Sequence, residues 1–264
     1  MSEELHERVA ARPWYHTIEL APGIETPGWF DCRGIAPTVL PDDLSGRRCL
    51  DIGTYDGFWA FQLEQRGASE VIAFDVLDDS RWDWPAGETA GQRAINSELR
   101  AGAGGFPLAK EALGSSVERV DASIYDLDPG VHGRFDVVYV GSLLLHLRDP
   151  VGALMKIRAV CDELLISADA VHGSLSLIGS GPAATLEGRG RPYWWTPNTA
   201  GYARMAEAAG FAITNGPNRF RMPPGRGHPR PPLRPGLLLN AQKRAVLVDS
   251  RLGNGHAWLH ARPG

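Results

Sequence analysis

The chain has 264 residues, is 43% hydrophobic and 22% charged, and carries a net charge of −4. This ordinary balance fits a globular domain with its own core and argues against a broad basic surface for nucleic acid. No run of 18 apolar residues, no secretory leader and no metal spacing among Cys32, Cys49 and Cys161 are found, so a cytoplasmic protein without a membrane span or a bound metal is expected.

Residues 1–12 read as a short polar helix, and 13–31 carry Trp14, Tyr15, His16, Trp29 and Phe30 between turn residues. That composition reads as a flap without sheet, laid over a site or packed as an arm; Trp14, His16 and Trp29 are its candidate substrate contacts. A short helix at 37–44 completes an N-terminal unit over 1–45.

Residues 48–76 organise the rest of the chain. An apolar run at 49–52 predicts a buried strand, 53–57 a glycine turn, 58–66 a helix ended by Gly67, and 71–74 a second strand with Asp75 at its tip. Strand, turn, helix and strand imply a parallel pair with a right-handed crossover. Gly53, Thr54, Tyr55 and Gly57 would let an anionic ligand approach the backbone at a helix N-terminus. Asp75 lies 18 residues after Gly57, close to the roughly 20 at which a carboxylate meets a ribose. The ligand is therefore expected to contain a nucleoside, although a glycine turn alone also fits other doubly wound proteins. Val76 and Leu77 are placed to flank its base. Trp82 and Trp84 suit either a pocket wall or a hydrophobic plug.

Helices are expected at 88–100 and 107–113, separated by a glycine-rich break, and a third strand at 116–122. A fourth strand, 135–140, leaves through Gly141, Ser142 and the segment up to Leu147. Asp149 and Pro150 then cap a helix to about 160. The fifth strand is 163–168. A loop-rich second flap at 171–192 leads to Tyr193, Trp194, Trp195 and Asn198, a helix at 199–209 and a sixth strand from 211. Residues 219–235 hold five arginines, several prolines and no acid, which fits a flexible insertion better than an anion-facing hairpin. A last strand at 244–248, antiparallel at the sheet edge, precedes a tail at 251–264. The reading is an α/β, Rossmann-like seven-stranded sheet with helices on both faces. Its main domain spans 46–250, with an insertion at 219–236.

The pattern Asp51-x-Gly53-x-x-x-Gly57 resembles motif I of class I methyltransferases that use S-adenosylmethionine. That resemblance implies S-adenosylmethionine as cofactor, with Asp51 at its methionine end, Asp75 on the ribose, Ser123 and Ile124 at the adenine, and Gly141 and Ser142 at the fourth strand tip. More particularly, the chain resembles the bacterial tRNA wobble-uridine carboxymethyltransferase family over about 13–248, through the segments 135–150, 193–198, 205–211 and 243–247. The resemblance places Leu145 where that family has a Tyr and His16 where it has a Lys, and retains Arg244. Without donors for an extra carboxylate, ordinary S-adenosylmethionine and methyl transfer are implied.

The expected function is methylation of a small-molecule acceptor by in-line displacement. The alternatives are a tRNA-modifying enzyme and a non-catalytic S-adenosylmethionine-binding protein. His146 is the candidate base, with Asp169 and His172 as further catalytic candidates. Tyr193, Trp195, Asn198 and Arg244 are candidate acceptor contacts.

Overall fold

The structure is a computed structural model that describes residues 2–86, 91, 105–177, 181–188, 193–229 and 251–264. Apolar runs with both faces covered form the parallel strands β3 (Arg48–Ile52), β4 (Glu70–Asp75), β5 (Glu118–Asp121), β6 (Phe135–Gly141) and β7 (Cys161–Ala170). With β10 (Phe211–Met222) and β11 (Asn254–Pro263) they make one seven-stranded sheet in the order β10-β11-β7-β6-β3-β4-β5. β11 runs antiparallel to both β7 and β10. The sequence of crossovers reverses at β3, so the tips of β3 and β6 diverge to open a crevice, as in other open α/β sheets.

Two cores lie on opposite faces. Cys49, Tyr139, Ile166 and Trp258 face Phe58, Trp59 and Phe61 of the helix Phe58–Gln65, and the N-terminal arm closes over them through Trp14, Ile18 and Phe30. Leu50, Val138, Leu165 and Leu259 face Leu154 and Ile157 of the helix Pro150–Val160 and Tyr202 of the helix Thr199–Ala208. The second of these helices begins as expected: Asp149 accepts from the N–H of Gly152, and Pro150 takes a position whose N–H would have no helical partner.

Several expectations are corrected. The arm does contain sheet, because β1 (Glu19–Ala21) and β2 (Ile24–Glu25) pair antiparallel around Gly23, whose φ is +78°. The second flap is likewise a hairpin of β8 (Ala184–Leu186) with β9 (Trp195–Pro197). Residues 219–222 continue β10 rather than opening a flexible insertion. The strand expected at 244–248, with Arg244, lies outside the described residues, as does most of the helix expected at 88–100. The slot beside β7 is taken by β11, from the segment expected to be a tail. Its Gly, His and Pro mask the strand in the sequence. In the fold, Trp258 fills one core while Ala257, Leu259 and Ala261 fill the other, so burial on both faces overrides weak local propensity.

Deleting residues 254–264 should therefore abolish the cooperative unfolding transition, and Leu259→Ala should cost about 2–5 kcal/mol in urea denaturation. A truncated chain that melted like the parent would make this segment a tail after all.

Candidate functional site

The turn after β3 is built by backbone conformation. Gly53, Tyr55 and Gly57 have φ of +80°, +52° and +93°, and a Cβ at Gly57 would stand 2.5 Å from Phe61 and 2.7 Å from Phe106, so only glycine fits there. The turn is tied to β4: the N–H groups of Gly53 and Thr54 donate to Phe74 O at 2.8 and 3.2 Å, and that of Tyr55 donates to Asp75 Oδ2 at 2.9 Å. Asp75 is 5% exposed, and Arg119 Nη2 lies 3.4 Å from the same oxygen.

Beside it, Asp51 is 1% exposed. Asp51 Oδ2 and Thr54 Oγ1 are buried without a hydrogen-bond partner in the protein, although buried polar atoms normally have one. Burial pushes the Asp51 carboxyl up to about 7. A buried acceptor pair of this kind fits a ligand with a cationic donor, such as the ammonium of an amino acid.

The arm is fastened to this turn by one carboxylate. Asp56 accepts from the backbone N–H groups of Tyr15 (2.9 Å) and His16 (2.7 Å) on Oδ2, while its Oδ1 lies 2.5 Å from His16 Nδ1. The His16 ring stacks on Phe58 at 5.2 Å. Tyr15 then stands against Tyr55 at 5.2 Å and Phe30 at 5.1 Å. Its phenol is pushed well above its usual range, first by burial and then by Tyr193 of the second flap. The arm is braced from outside by residues 223–228: Asp31 N donates to Pro223 O, Gly225 N to Trp29 O and Gly227 N to Gly28 O, at 2.7–2.9 Å.

Around the exit of β6, Asp169 Oδ2 accepts from the N–H groups of Leu143 (2.9 Å) and Leu144 (2.7 Å), and its Oδ1 from Ala170 (2.8 Å). Burial pushes this carboxyl up to about 6. Gly141 leaves room for the Tyr139 hydroxyl, which would lie 2.2 Å from a Cβ there. The second flap is pinned to the same exit: Trp194 N donates to Leu145 O, Trp194 Nε1 to Asp83 O and Trp195 Nε1 to Arg148 O, at 2.7, 2.6 and 3.1 Å. The flap sets Tyr193 at 5.0 Å from His146, ring to ring. His172 is exposed, with Nδ1 2.9 Å from Ser174 Oγ.

Other candidates fall elsewhere. Trp14 is a core side chain whose Nε1 donates to Val9 O at 3.0 Å, so it lines no pocket. Asn198 is buried as a helix cap: its Oδ1 accepts from Gly201 and Ala183, and its Nδ2 donates to Gly181 O. Ile124 is a core residue and Ser123 caps the short turn Ile124–Asp126, which leaves the backbone there to face a base. Leu77 is 48% exposed next to β4. Trp82 and Trp84 stack at 5.4 Å, and each indole donates to a nearby carbonyl. Sequence reasoning misses two residues: Asp56, whose partners lie 40 positions away, and His256, in the segment expected to be a tail. Only three-dimensional contact reveals either.

No protein-family model matches the chain. Two curated relatives, each a tRNA U34 carboxymethyltransferase, are similar to it. The one from Trichodesmium erythraeum is 23% identical over 182 residues, covering 67% of this chain and 48% of that protein. The one from Pseudomonas paraeruginosa is 26% identical over 175 residues, covering 64% and 46%. The chain thus spans about half the length of the curated relatives it matches. Among solved structures, the N-terminal domain of EvdMO1, with S-adenosylhomocysteine and D-fucose, superposes with a TM-score of 0.60 at 17% identity, covering 100% of this chain and 97% of that one. The [4+2]-cyclase SpnF gives 0.55 at 16%, covering 98% and 92%. Magnesium protoporphyrin IX methyltransferase from Synechocystis PCC 6803, with S-adenosylhomocysteine, gives 0.51 at 17%, covering 88% and 81%. The fold is therefore the Rossmann-like methyltransferase fold.

Asp56→Ala should free the arm from the turn and cost about 3 kcal/mol of stability, because it strands buried donors. Hydrogen exchange should speed up across residues 14–30 ahead of the sheet. Unchanged protection there would show that the arm is held by its apolar contacts alone.

Proposed function

We propose that the chain is an S-adenosylmethionine-dependent methyltransferase for a small-molecule acceptor. The observation that carries this reading is the unsatisfied pair Asp51 Oδ2 and Thr54 Oγ1 at the tip of β3, one strand from Asp75 at the tip of β4. An amino-acid ammonium answers the first and a ribose diol the second. The backbone of Gly53 and Tyr55 would border the sugar, Val76, Leu77 and residue 123 the adenine, and Gly141 and Ser142 the methionine arm.

When bound, S-adenosylmethionine supplies a methyl group activated by its sulfonium. The protein's part is to align the acceptor behind that methyl and to exclude water, and such alignment supplies about 7–11 kcal/mol of a barrier. The arm and the second flap form the cover, with Tyr15, Trp29, Tyr193, Trp195 and His146 around the acceptor. His146, beside Tyr193, takes the proton of an acceptor that must lose one. Asp169 acts by holding the β6 exit in shape, since both its oxygens accept backbone N–H groups; His172 stands further out on the flap.

Methyl rather than carboxymethyl transfer is the reading favoured by the two departures from the relatives. Leu145 is apolar, and His16 Nδ1 is engaged by Asp56, so neither offers a cation to a second carboxylate. A tRNA acceptor is disfavoured because arginines near β10 already have partners: Arg219 donates to Thr199 Oγ1, Arg221 to Gly253 O, and Arg226 lies 3.9 Å from Glu25. A neighbour that is a cyclase means the fold alone does not choose the reaction, so release of S-adenosylhomocysteine must be measured. The three cysteines are buried and unpaired, which fits work in the cytoplasm. Among the described residues no helix is long and apolar enough to cross a membrane.

Asp75→Ala should weaken S-adenosylhomocysteine binding by about 1.5–3 kcal/mol in calorimetry; equal affinity in a folded variant would remove Asp75 from the site. His146→Ala should lower turnover of a hydroxyl acceptor while leaving cofactor affinity intact. The Asp51 carboxyl, raised to about 7 by burial, must release its proton to meet an ammonium. Affinity should then fall by up to about tenfold per pH unit below 7 and be flat above it. Asp51→Asn should lose that slope. Without ligand the same group holds a proton that the unfolded chain has given up, so its contribution to stability declines as pH rises from about 4 to about 7. A pH-independent affinity in the parent would exclude Asp51 as the ammonium's partner.

A further inference from the structure

His256 lies on β11 opposite Ala170, at the C-terminal end of β7. It is 4% exposed and belongs neither to the cofactor contacts nor to the two flaps. Its Nδ1 is 3.1 Å from Asn254 O, and its Nε2 is 3.1 Å from Ser142 Oγ. A carbonyl oxygen can only accept, so Nδ1 carries the proton. Burial lowers the ring's proton affinity to a pKa of about 4, so at neutral pH the ring is uncharged and Nε2 is a bare acceptor. The Ser142 hydroxyl must then donate to it, which leaves only lone pairs on Ser142 Oγ for any other group.

Ser142 is half-buried at the tip of β6, and its φ is +49°. That left-handed conformation costs a non-glycine residue about 1–2 kcal/mol, and such strain clusters where side chains have a task. The location specifies which ligand is met. A nucleoside across the tips of β3 and β4 leaves the tips of β6, β7 and β11 to the acceptor. Phe220 closes that side, 5.5 Å from the His256 ring.

We propose that Ser142 Oγ, aligned by His256 as a positioning residue, is a fixed hydrogen-bond acceptor that selects a methyl acceptor carrying an O–H or N–H group. This rests on the methyltransferase reading. It gives Ser142 a second task beside the methionine arm and involves no covalent step.

Two measurements test it. In unliganded protein with 15N-labelled histidine at pH 7, the ring signal absent from His256→Gln should show a protonated Nδ1 and a bare Nε2. A proton on Nε2 overturns the proposal, because Ser142 would then be free to donate. Second, each protein is saturated with S-adenosylhomocysteine, and phenol and toluene affinities are read by ligand-observed NMR. The phenol-to-toluene preference should fall by about three- to tenfold, the worth of one hydrogen bond, in Ser142→Gly, whose backbone suits the left-handed turn. His256→Gln, which presents an N–H to the serine, should lower it too. An equal preference in parent and variants refutes this proposal alone. A protein with the predicted ring signature that binds no S-adenosylhomocysteine refutes the methyltransferase reading and this proposal with it.

Discussion

The site depends on a single carboxylate outside the ligand-facing pair. Asp56 is almost wholly buried, and a buried carboxylate must find donors or cost several kcal/mol. Its donors are the two backbone N–H groups and the ring of the 15–16 segment. The glycine turn and the N-terminal arm are therefore one object. The turn cannot take its shape with Asp56 turned inward unless the arm is present, and the arm has its register set by the turn. From that junction the aromatic roof is built: His16 onto Phe58, Tyr15 onto Tyr55 and Phe30, and Tyr193 near Tyr15.

The parts of the fold readable from sequence are those whose causes are local. Residues 48–76 announce strand, turn, helix and strand because an apolar run, two glycines and a helical repeat lie next to one another. The helix Pro150–Val160 is equally plain, since Asp149 and Pro150 are its cap. β11 is hidden because nothing within Asn254–Pro263 demands a strand; β7 and β10 demand it from either side. The arm's small hairpin is hidden for a similar reason. Its residues gain order from Thr26 Oγ1, which accepts from Ile18 N and donates to His16 O, a bridge no pattern of hydropathy encodes.

The candidate site divides in the same way. Asp51, Gly53, Gly57 and Asp75 are held together by adjacent strands, so their spacing in the chain carries their geometry. Trp14 and Asn198 show the converse. An aromatic or amide side chain near a flap looks like a ligand contact, yet one is absorbed by the core and the other by a helix end. His16, read as a substrate contact, turns its Nδ1 to Asp56. The departure from the carboxymethyltransferase relatives at positions 16 and 145 thus has a physical meaning: one position closes the arm and the other anchors the flap through its carbonyl.

The place of β11 also bears on how the chain assembles during synthesis. The strand nearest the C-terminus among those described is the inner one, lodged between β7 and β10. Until it leaves the ribosome, β7 has an open edge and β10 has no neighbour on the sheet. Such edges are templates for pairing with other chains, and non-local strand contacts form slowly. The nascent protein therefore spends nearly its whole translation with the sheet unfinished, a period in which a chaperone or a cold, slow expression would have the greatest effect on yield.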